Sequence, residues 1–269
     1  MAERGMLAGR RRALIMDTVR THGEVRVADL VDRLGVSDMT IRRDLDALAA
    51  DGVLDKVHGG AVARTGAATA DEPWFEAKAP LAAAAKTAIA AAAADLVEPG
   101  SVVALSAGST TYAVATQLLG VPRLTVVTNS LPIADVLRAA DRDRAGDAPT
   151  LLLTGGTPTR SAALVGPIAD QALANLHVDL LILGTHGVSE RAGLSTPNLA
   201  EGQTNRALIA AARRVAVVAD HTKWGVAGLA GFAALDTVDV FVTDDGIPTA
   251  ARDVLADHVG ELIVVPATD

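Results

Sequence analysis

Ser37, Thr40, Arg42 and Arg43 fall within seven consecutive residues of the stretch VSDMTIRRDLDAL (36–48). Hydroxyl and guanidinium groups at that spacing can share the outer side of a helix, and they are the groups that hold phosphates and read base edges in a major groove. A second concentration lies at Ser106-Ala107-Gly108-Ser109-Thr110-Thr111. There a glycine lets the backbone approach an anion, the hydroxyls can donate to it, and a following helix offers N–H groups without intrahelical partners. The first set points to a nucleic acid, the second to a small anion.

A helix must position the first set. Ser37 suits its N-cap, and Asp38 puts negative charge on the positive end of the helix. Ile41, Leu45 and Leu48 recur at i, i+4 and i+7 and make one apolar stripe. At about 100° per residue, Met39 and Arg43 lie opposite that stripe, with Thr40 and Arg42 on its shoulders. Upstream, residues 10–21 have a helical pattern, 24–27 read as a short strand, and 27–34 (VADLVDRL) as a short amphipathic helix. Gly35 stands where a helix end needs positive φ, and only Val36 separates it from the cap, so the turn is tight. Asp51-Gly52 then makes a turn. Residues 53–57 followed by Gly59-Gly60 read as a small hairpin, which adds Lys56 and His58 as candidate DNA contacts. The order predicts a winged helix–turn–helix.

The second set needs a different frame. From Lys86 a helical pattern (86–96) leads to a buried strand (101–105), the Ser106–Thr111 loop and a helix to Leu119. Further apolar strands are expected at 124–128, 150–154, 179–184, 215–219, 238–243 and 261–265, with helical patterns between most of them. Short apolar strands alternating with helices predict an α/β domain with a mainly parallel sheet covered on both faces. In such sheets ligands bind beyond the carboxyl ends of the strands. Thr128-Asn129-Ser130, Gly155-Gly156 after Thr154, and Lys223 in the run Asp220-His221-Thr222-Lys223 all fall at such ends. With Ser106, Gly108, Ser109, Thr110 and Thr111 they make up the candidate ligand site. Glu201, after Pro197, is a further candidate, with helix N-terminal charge as its alternative role. Residues 64–79 read as a linker in which Trp74 and Phe75 are hydrophobic anchors, and 141–148 (DRDRAGDA) as a charged surface loop.

Composition bounds these readings. A chain of 269 residues is long enough for two domains. Its net charge of −8 argues against nucleic acid only until the distribution is considered: residues 1–60 carry ten basic and ten acidic residues, so the whole acidic excess lies beyond them. There are no cysteines, which excludes disulfides and thiolate metal sites and fits a cytoplasmic setting. The six histidines (22, 58, 177, 186, 221, 258) show no metal-ligand spacing, and His186 and His221 read as polar loop residues. No metal or cofactor is expected. Neither is a membrane span: the richest apolar stretch, 81–97, is mostly alanine and carries Lys86 and Asp95. Arg10, Arg11 and Arg12 are not followed by the apolar core of a secretory signal.

The sequence resembles the DeoR family of bacterial transcription regulators over nearly its whole length. The likeness is carried by Gly35-Val36-Ser37, Thr40-Ile41-Arg42-Arg43-Asp44-Leu45 and Val57-His58-Gly59-Gly60-Ala61. It continues through Gly108-Ser109-Thr110-Thr111, Thr128-Asn129-Ser130, Gly155-Gly156, Gly184 with Gly187, and Asp220 with Lys223. The resemblance implies an operator-binding winged helix–turn–helix (1–62), a linker (63–80) and a ligand-sensing α/β domain (81–269) with a fold similar to ribose-5-phosphate isomerase and coenzyme A transferases. It further implies a response to a small metabolite, often a phosphorylated sugar; because one recognition helix spans few base pairs, a homo-oligomer (dimer or tetramer) is expected as well. Ser106 departs from the pattern, because the family often has Asp there. The rival reading is a sugar-phosphate isomerase or transferase that carries a DNA-binding domain.

Overall fold

The computed structural model describes residues 8–22, 24–50, 54–57, 59–63, 74–144 and 148–267. The chain divides into two units, Met1–Ala83 and Ala84–Asp269. In the first, α1 (Ala8–His22), β1 (Glu24–Arg26), α2 (Val27–Leu34) and α3 (Asp38–Ala50) precede β2 (Leu54–Val57) and β3 (Gly60–Ala63). The three strands pair antiparallel in the order β1-β3-β2. Ile15, Leu30, Ile41, Leu45 and Leu54 are buried in one cluster between helices and hairpin. Gly35 ends α2 with φ 64° and ψ 29°, and its N–H donates to the Val31 carbonyl at 3.0 Å. Gly60 is required by close approach: a Cβ there would meet the Val25 carbonyl oxygen at 2.1 Å. One short turn, α4 (Phe75–Lys78), follows. Trp74 is 50% exposed and Phe75 half-buried, so a single helical turn covers these two aromatic side chains only in part.

The second unit opens with α5 (Ala83–Ala94), β4 (Val102–Leu105), α6 (Ser109–Gln117), β5 (Thr125–Thr128), α7 (Leu131–Arg144) and β6 (Thr150–Leu153). Next come β7 (Thr157–Pro158), β8 (Leu164–Val165), α8 (Pro167–Leu173), β9 (Leu180–Gly184), β10 (Gly187–Ser189) and β11 (Gly193–Thr196). It closes with α9 (Leu199–Ala211), β12 (Val215–Val218), β13 (Ala230–Ala233), β14 (Val240–Asp244), α10 (Thr249–His258) and β15 (Glu261–Val265). All seven strands expected from apolar runs join one parallel sheet, in the order β15-β14-β12-β9-β4-β5-β6. Helices α5, α6 and α7 cover one face through Ile89, Val114, Ile133 and Leu137. Helices α8, α9 and α10 cover the other through Leu173, Leu208 and Leu255, together with Leu194 and Phe232 from a small antiparallel sheet.

One further local expectation changes. The run at 141–148 is not all loop: α7 continues to Arg144, because charged residues sit well on the outer side of a helix that packs through Ile133 and Leu137. Residues 145–147 lie outside the described residues. The antiparallel pieces β7, β8, β10, β11 and β13 have two to four residues each, too few for an alternating pattern to register. Among the described residues no helix is long and apolar enough to cross a membrane.

Candidate functional site

The inner face of α3 is built as its spacing demands, with Ile41, Leu45 and Leu48 buried. At its start the Thr40 N–H donates to Ser37 Oγ at 3.3 Å, and the two hydroxyl oxygens lie 2.9 Å apart. Met39 is 65% exposed, and Arg42 and Arg43 also face solvent. Arg42 donates to Asp38 through Nε at 2.5 Å and Nη2 at 3.2 Å. Those bonds hold the Asp38 carboxyl below its ordinary value. Any phosphate or base that engages Arg42 must therefore compete with Asp38. Arg43 is tied to no carboxylate among the described residues. Lys56 reaches from β2 to Asp46 on α3, an exposed pair. His58 lies outside the described residues.

Sequence reasoning missed the residue that seats this helix. Asp44 is 2% exposed and takes two guanidinium groups from α1: Arg11, in a close ion pair, and Arg12, whose Nε lies 3.0 Å from Oδ1. The signal was present, since Asp44 stands at i+3 from Ile41 on the buried stripe. A carboxylate there needs a cation, because an unpaired buried charge is far costlier than a paired one.

In the second unit the strand order reverses around β4. The chain runs from β4 outward to β5 and β6, then returns to place β9 on the other side of β4. The crevice beyond the carboxyl ends of β4 and β9 is thus the topological switch point, where open α/β sheets bind ligands. Ser106 closes its floor: its Oγ accepts the Gly184 N–H at 2.9 Å, across the two strands. Above it α6 begins at Ser109 with Gly108 as N-cap, and no side chain caps its first turn. Thr110 and Thr111 are buried there, and Thr111 Oγ1 donates to the Gly108 carbonyl at 3.0 Å.

The Thr128-Asn129-Ser130 group is spent largely on scaffolding. Asn129 Oδ1 accepts the Ala107 N–H at 2.9 Å, while its Nδ2 donates to the Leu164 carbonyl at 3.1 Å. Thr128 Oγ1 donates to the Leu105 carbonyl and accepts the Ser130 N–H. These residues hold the Ser106–Thr111 loop in place. Gly155 and Gly156 follow the edge strand β6.

Glu201 enters from the opposite layer, in the first turn of α9, which Asn198 caps through the N–H groups of Ala200 and Glu201. It is 7% exposed and accepts from three hydroxyls: Thr159 at 2.5 Å, Ser161 in a short bond, and Thr196 at 3.2 Å. Nothing local pointed to these partners, because two of them lie about 40 residues away in sequence. Lys223 is half-buried on a single 3₁₀ turn (His221–Lys223) beyond β12, whose start is fixed by Asp220 accepting the Thr222 N–H at 3.1 Å.

His221 proves to be more than a polar loop residue. Its Nδ1 lies 2.6 Å from Asp244 Oδ2, and its backbone N–H donates to Asp244 Oδ1 at 2.7 Å. Burial pushes the Asp244 carboxyl up. The hydrogen bonds from His221, its charge and the Gly246 N–H outweigh burial and hold the carboxyl below its ordinary value. Among the described residues no group of three or more His, Asp or Glu could hold a metal ion.

A winged helix–turn–helix joined to an α/β unit with hydroxyls and a helix N-terminus at its switch point defines a ligand-responsive DNA-binding regulator. The chain belongs to the DeoR family of transcription regulators. Residues 11–66 match the DeoR-like helix-turn-helix domain, and residues 81–245 match the DeoR C-terminal sensor domain. It is 37% identical to the HTH-type transcriptional regulator YgbI of Escherichia coli K12, over 96% of this chain and 98% of that protein. It is 34% identical to a putative aga operon transcriptional repressor of Escherichia coli O157:H7, over 95% and 93%. With the glycerol-3-phosphate regulon repressor of Escherichia coli K12 it shares 31% identity over 91% and 94%. Among solved structures it is similar to ribose 5-phosphate isomerase A from Methanocaldococcus jannaschii, with a TM-score of 0.38, 18% identity, and coverage of 52% of this chain and 53% of that one.

Three outcomes follow from these geometries. Asp44→Ala removes the buried carboxylate that holds Arg11 and Arg12, and chemical unfolding of the variant should show a loss of about 3–5 kcal/mol. Asp38→Ala, which removes an exposed pair and one charge from the helix N-terminus, should cost only a small fraction of that. Asp244, with its native pKa lowered, stabilises the fold fully above its unfolded value of 3.8, and that contribution disappears as pH falls through the lower native value. Urea titrations of Asp244→Asn from pH 7 down to pH 2 should therefore show a shallower loss of stability below about pH 4 than wild type.

Proposed function

We propose that the protein is a repressor that binds operator DNA as a dimer or tetramer and leaves it when a phosphorylated sugar or polyol occupies the switch-point crevice. One observation carries the effector half: the uncapped start of α6 sits with the hydroxyls of Ser109 and Thr110 at the switch point, while Thr111, whose hydroxyl is held by the Gly108 carbonyl, shapes the turn behind them. Backbone N–H groups and hydroxyls at a helix N-terminus suit a phosphate and need no cofactor. Lys223, on the turn beyond β12, supplies a counter-charge inside a unit whose residues are otherwise acidic in balance. Gly155, Gly156 and Glu201 complete the ligand set, Glu201 facing sugar hydroxyls through its own hydroxyl cluster. A relative that represses a glycerol-3-phosphate regulon supports an effector of this class.

Operator contacts fall to Ser37, Met39, Thr40, Arg42 and Arg43 on α3, with Lys56 and His58 from the hairpin. Arg43 is the base reader in this scheme, since Arg42 is shared with Asp38. One recognition helix spans few base pairs, so useful specificity needs repeated half-sites and an oligomer. The protein acts as a sensor in the cytoplasm and not as an isomerase or transferase. Ser106 offers no carboxylate at the crevice floor, and Glu201 is already satisfied by three hydroxyls.

Arg43→Ala should weaken binding to an operator selected from random duplexes by about 1–3 kcal/mol, with a much smaller loss on a scrambled duplex at the same salt. Fluorescence anisotropy reads both; equal losses would make Arg43 a phosphate contact. For the effector, a thermal-shift screen of phosphorylated sugars and polyols should yield a ligand that releases wild-type protein from the operator. Thr110→Val and Lys223→Ala should each raise the concentration required. Unchanged affinity in both variants would move the ligand site elsewhere, and turnover of an aldose phosphate would restore the enzyme reading.

A further inference from the structure

Lys86 is 5% exposed, on a helix that otherwise consists of nine alanines, Thr87 and Ile89. It shares a face with Ile89, Ala90 and Ala93, at i+3, i+4 and i+7, all 0% exposed and packed in the same layer as Val103, Leu105, Val218 and Val242. Its height in that layer follows from chain direction. Only residues 95–101 separate α5 from β4, so the last turn of α5 lies at the amino end of the sheet. Its first turn, with Lys86, therefore lies at the carboxyl end, beside the crevice.

Two carboxylates reach the same layer at the same end. Ala216 and Val218 of β12 point into it, so alternation sends Asp220 there too; Val240 and Val242 of β14 do likewise, and so does Asp244. The strands are in register at Val218 and Val242, which puts the two carboxylates side by side, 3% and 1% exposed. A lysine ammonium in such a layer is tolerable only when paired with an anion. Asp244 is occupied on both oxygens by His221 and Gly246. The contacts from Thr222 engage Asp220 through Oδ1.

We propose that the Lys86 ammonium pairs with Asp220 and is the positioning residue that links the effector turn to α5, the element by which the chain enters the sensor unit. Asp220 opens the turn that carries Lys223, and α5 directly follows the DNA-binding unit in sequence. An effector that draws on Lys223 moves the turn, the turn moves Asp220, and the pair passes the displacement to the start of α5. The inference rests on the effector reading above. Lys86 itself does not touch the effector. Its removal therefore separates ligand binding from DNA release, because a ligand shifts an equilibrium only as far as it distinguishes the two states.

The test uses the full-length protein, with glycerol 3-phosphate, ribose 5-phosphate and inorganic phosphate as probes and Lys86→Met, Lys86→Arg, Asp220→Asn and Lys223→Ala as variants. Lys86→Met should bind the releasing probe within about twofold of wild type by calorimetry, yet need about tenfold more of it for half-release from the operator. Lys86→Arg should restore release. In thermal unfolding, Lys86→Met and Asp220→Asn should each lower the midpoint, and the double variant should fall no further than either alone. Additive losses would overturn the pair. Loss of probe binding in Lys86→Met as severe as in Lys223→Ala would make Lys86 a ligand contact and overturn the coupling role. If Lys86→Met releases like wild type while Lys223→Ala needs more probe, the coupling fails and the effector site stands. If no probe releases wild type, the effector reading fails and the coupling falls with it.

Discussion

Parallel strands need crossover connections, and the helices in those connections must bury the sheet on both faces. That constraint governs the sensor unit. Seven strands rich in Val, Leu and Ile leave little room for polar groups along their length, and helices packed through aliphatic side chains cover both faces of the central strands, while Leu152 and Leu153 of the edge strand β6 stay exposed. Polar residues are confined to the strand ends, and the carboxyl ends are where the loops lead into helix N-termini. The reversal of strand order between β4 and β9 then opens one crevice at which those loops diverge. Ser106, the start of α6 and the turn after β12 take their places from this arrangement and from no local feature of their own.

The polar residues at that end divide their work. Thr128, Asn129 and Ser130 bind backbone groups of neighbouring loops, and so hold the Ser106–Thr111 segment in one conformation. Their rigidity is what allows the first turn of α6 to present donors without a capping side chain. On the α9 side, Glu201 is surrounded by hydroxyls that orient its carboxylate. On the α5 side, Asp220 and Asp244 anchor the turn at 221–223.

The DNA-binding unit solves a different problem, because a small unit has one modest apolar cluster with which to hold its recognition helix. Asp44 contributes what apolar packing alone does not: direction. A carboxylate held by two guanidinium groups of α1 fixes the rotation of α3 about its axis as well as its distance. Two of the three arginines at 10–12 are committed to this pairing. The outward face is left to Met39, Thr40 and Arg43, with Arg42 shared between Asp38 and whatever it meets.

Periodicity in the sequence was enough to determine the helix–turn–helix, the Ser37 cap, the Gly35 turn and all seven strands of the parallel sheet. Each depends on residues close together in the chain, where the 3.6- and 2-residue repeats and the φ demands of glycine operate. The hydroxyl loop at 106–111 was legible for the same reason, as a small-residue run between a strand and a helix. Strand order, the switch point and the short antiparallel strands were not legible, since pairing partners lie tens of residues apart. The roles of individual polar residues also belonged to the tertiary structure. Asp44 and Arg11 are 33 positions apart, Glu201 and Ser161 40, His221 and Asp244 23. An isolated Asp, Ser or His gives no sign of such a partner, because the energy of a buried polar pair arises only when folding removes both groups from water.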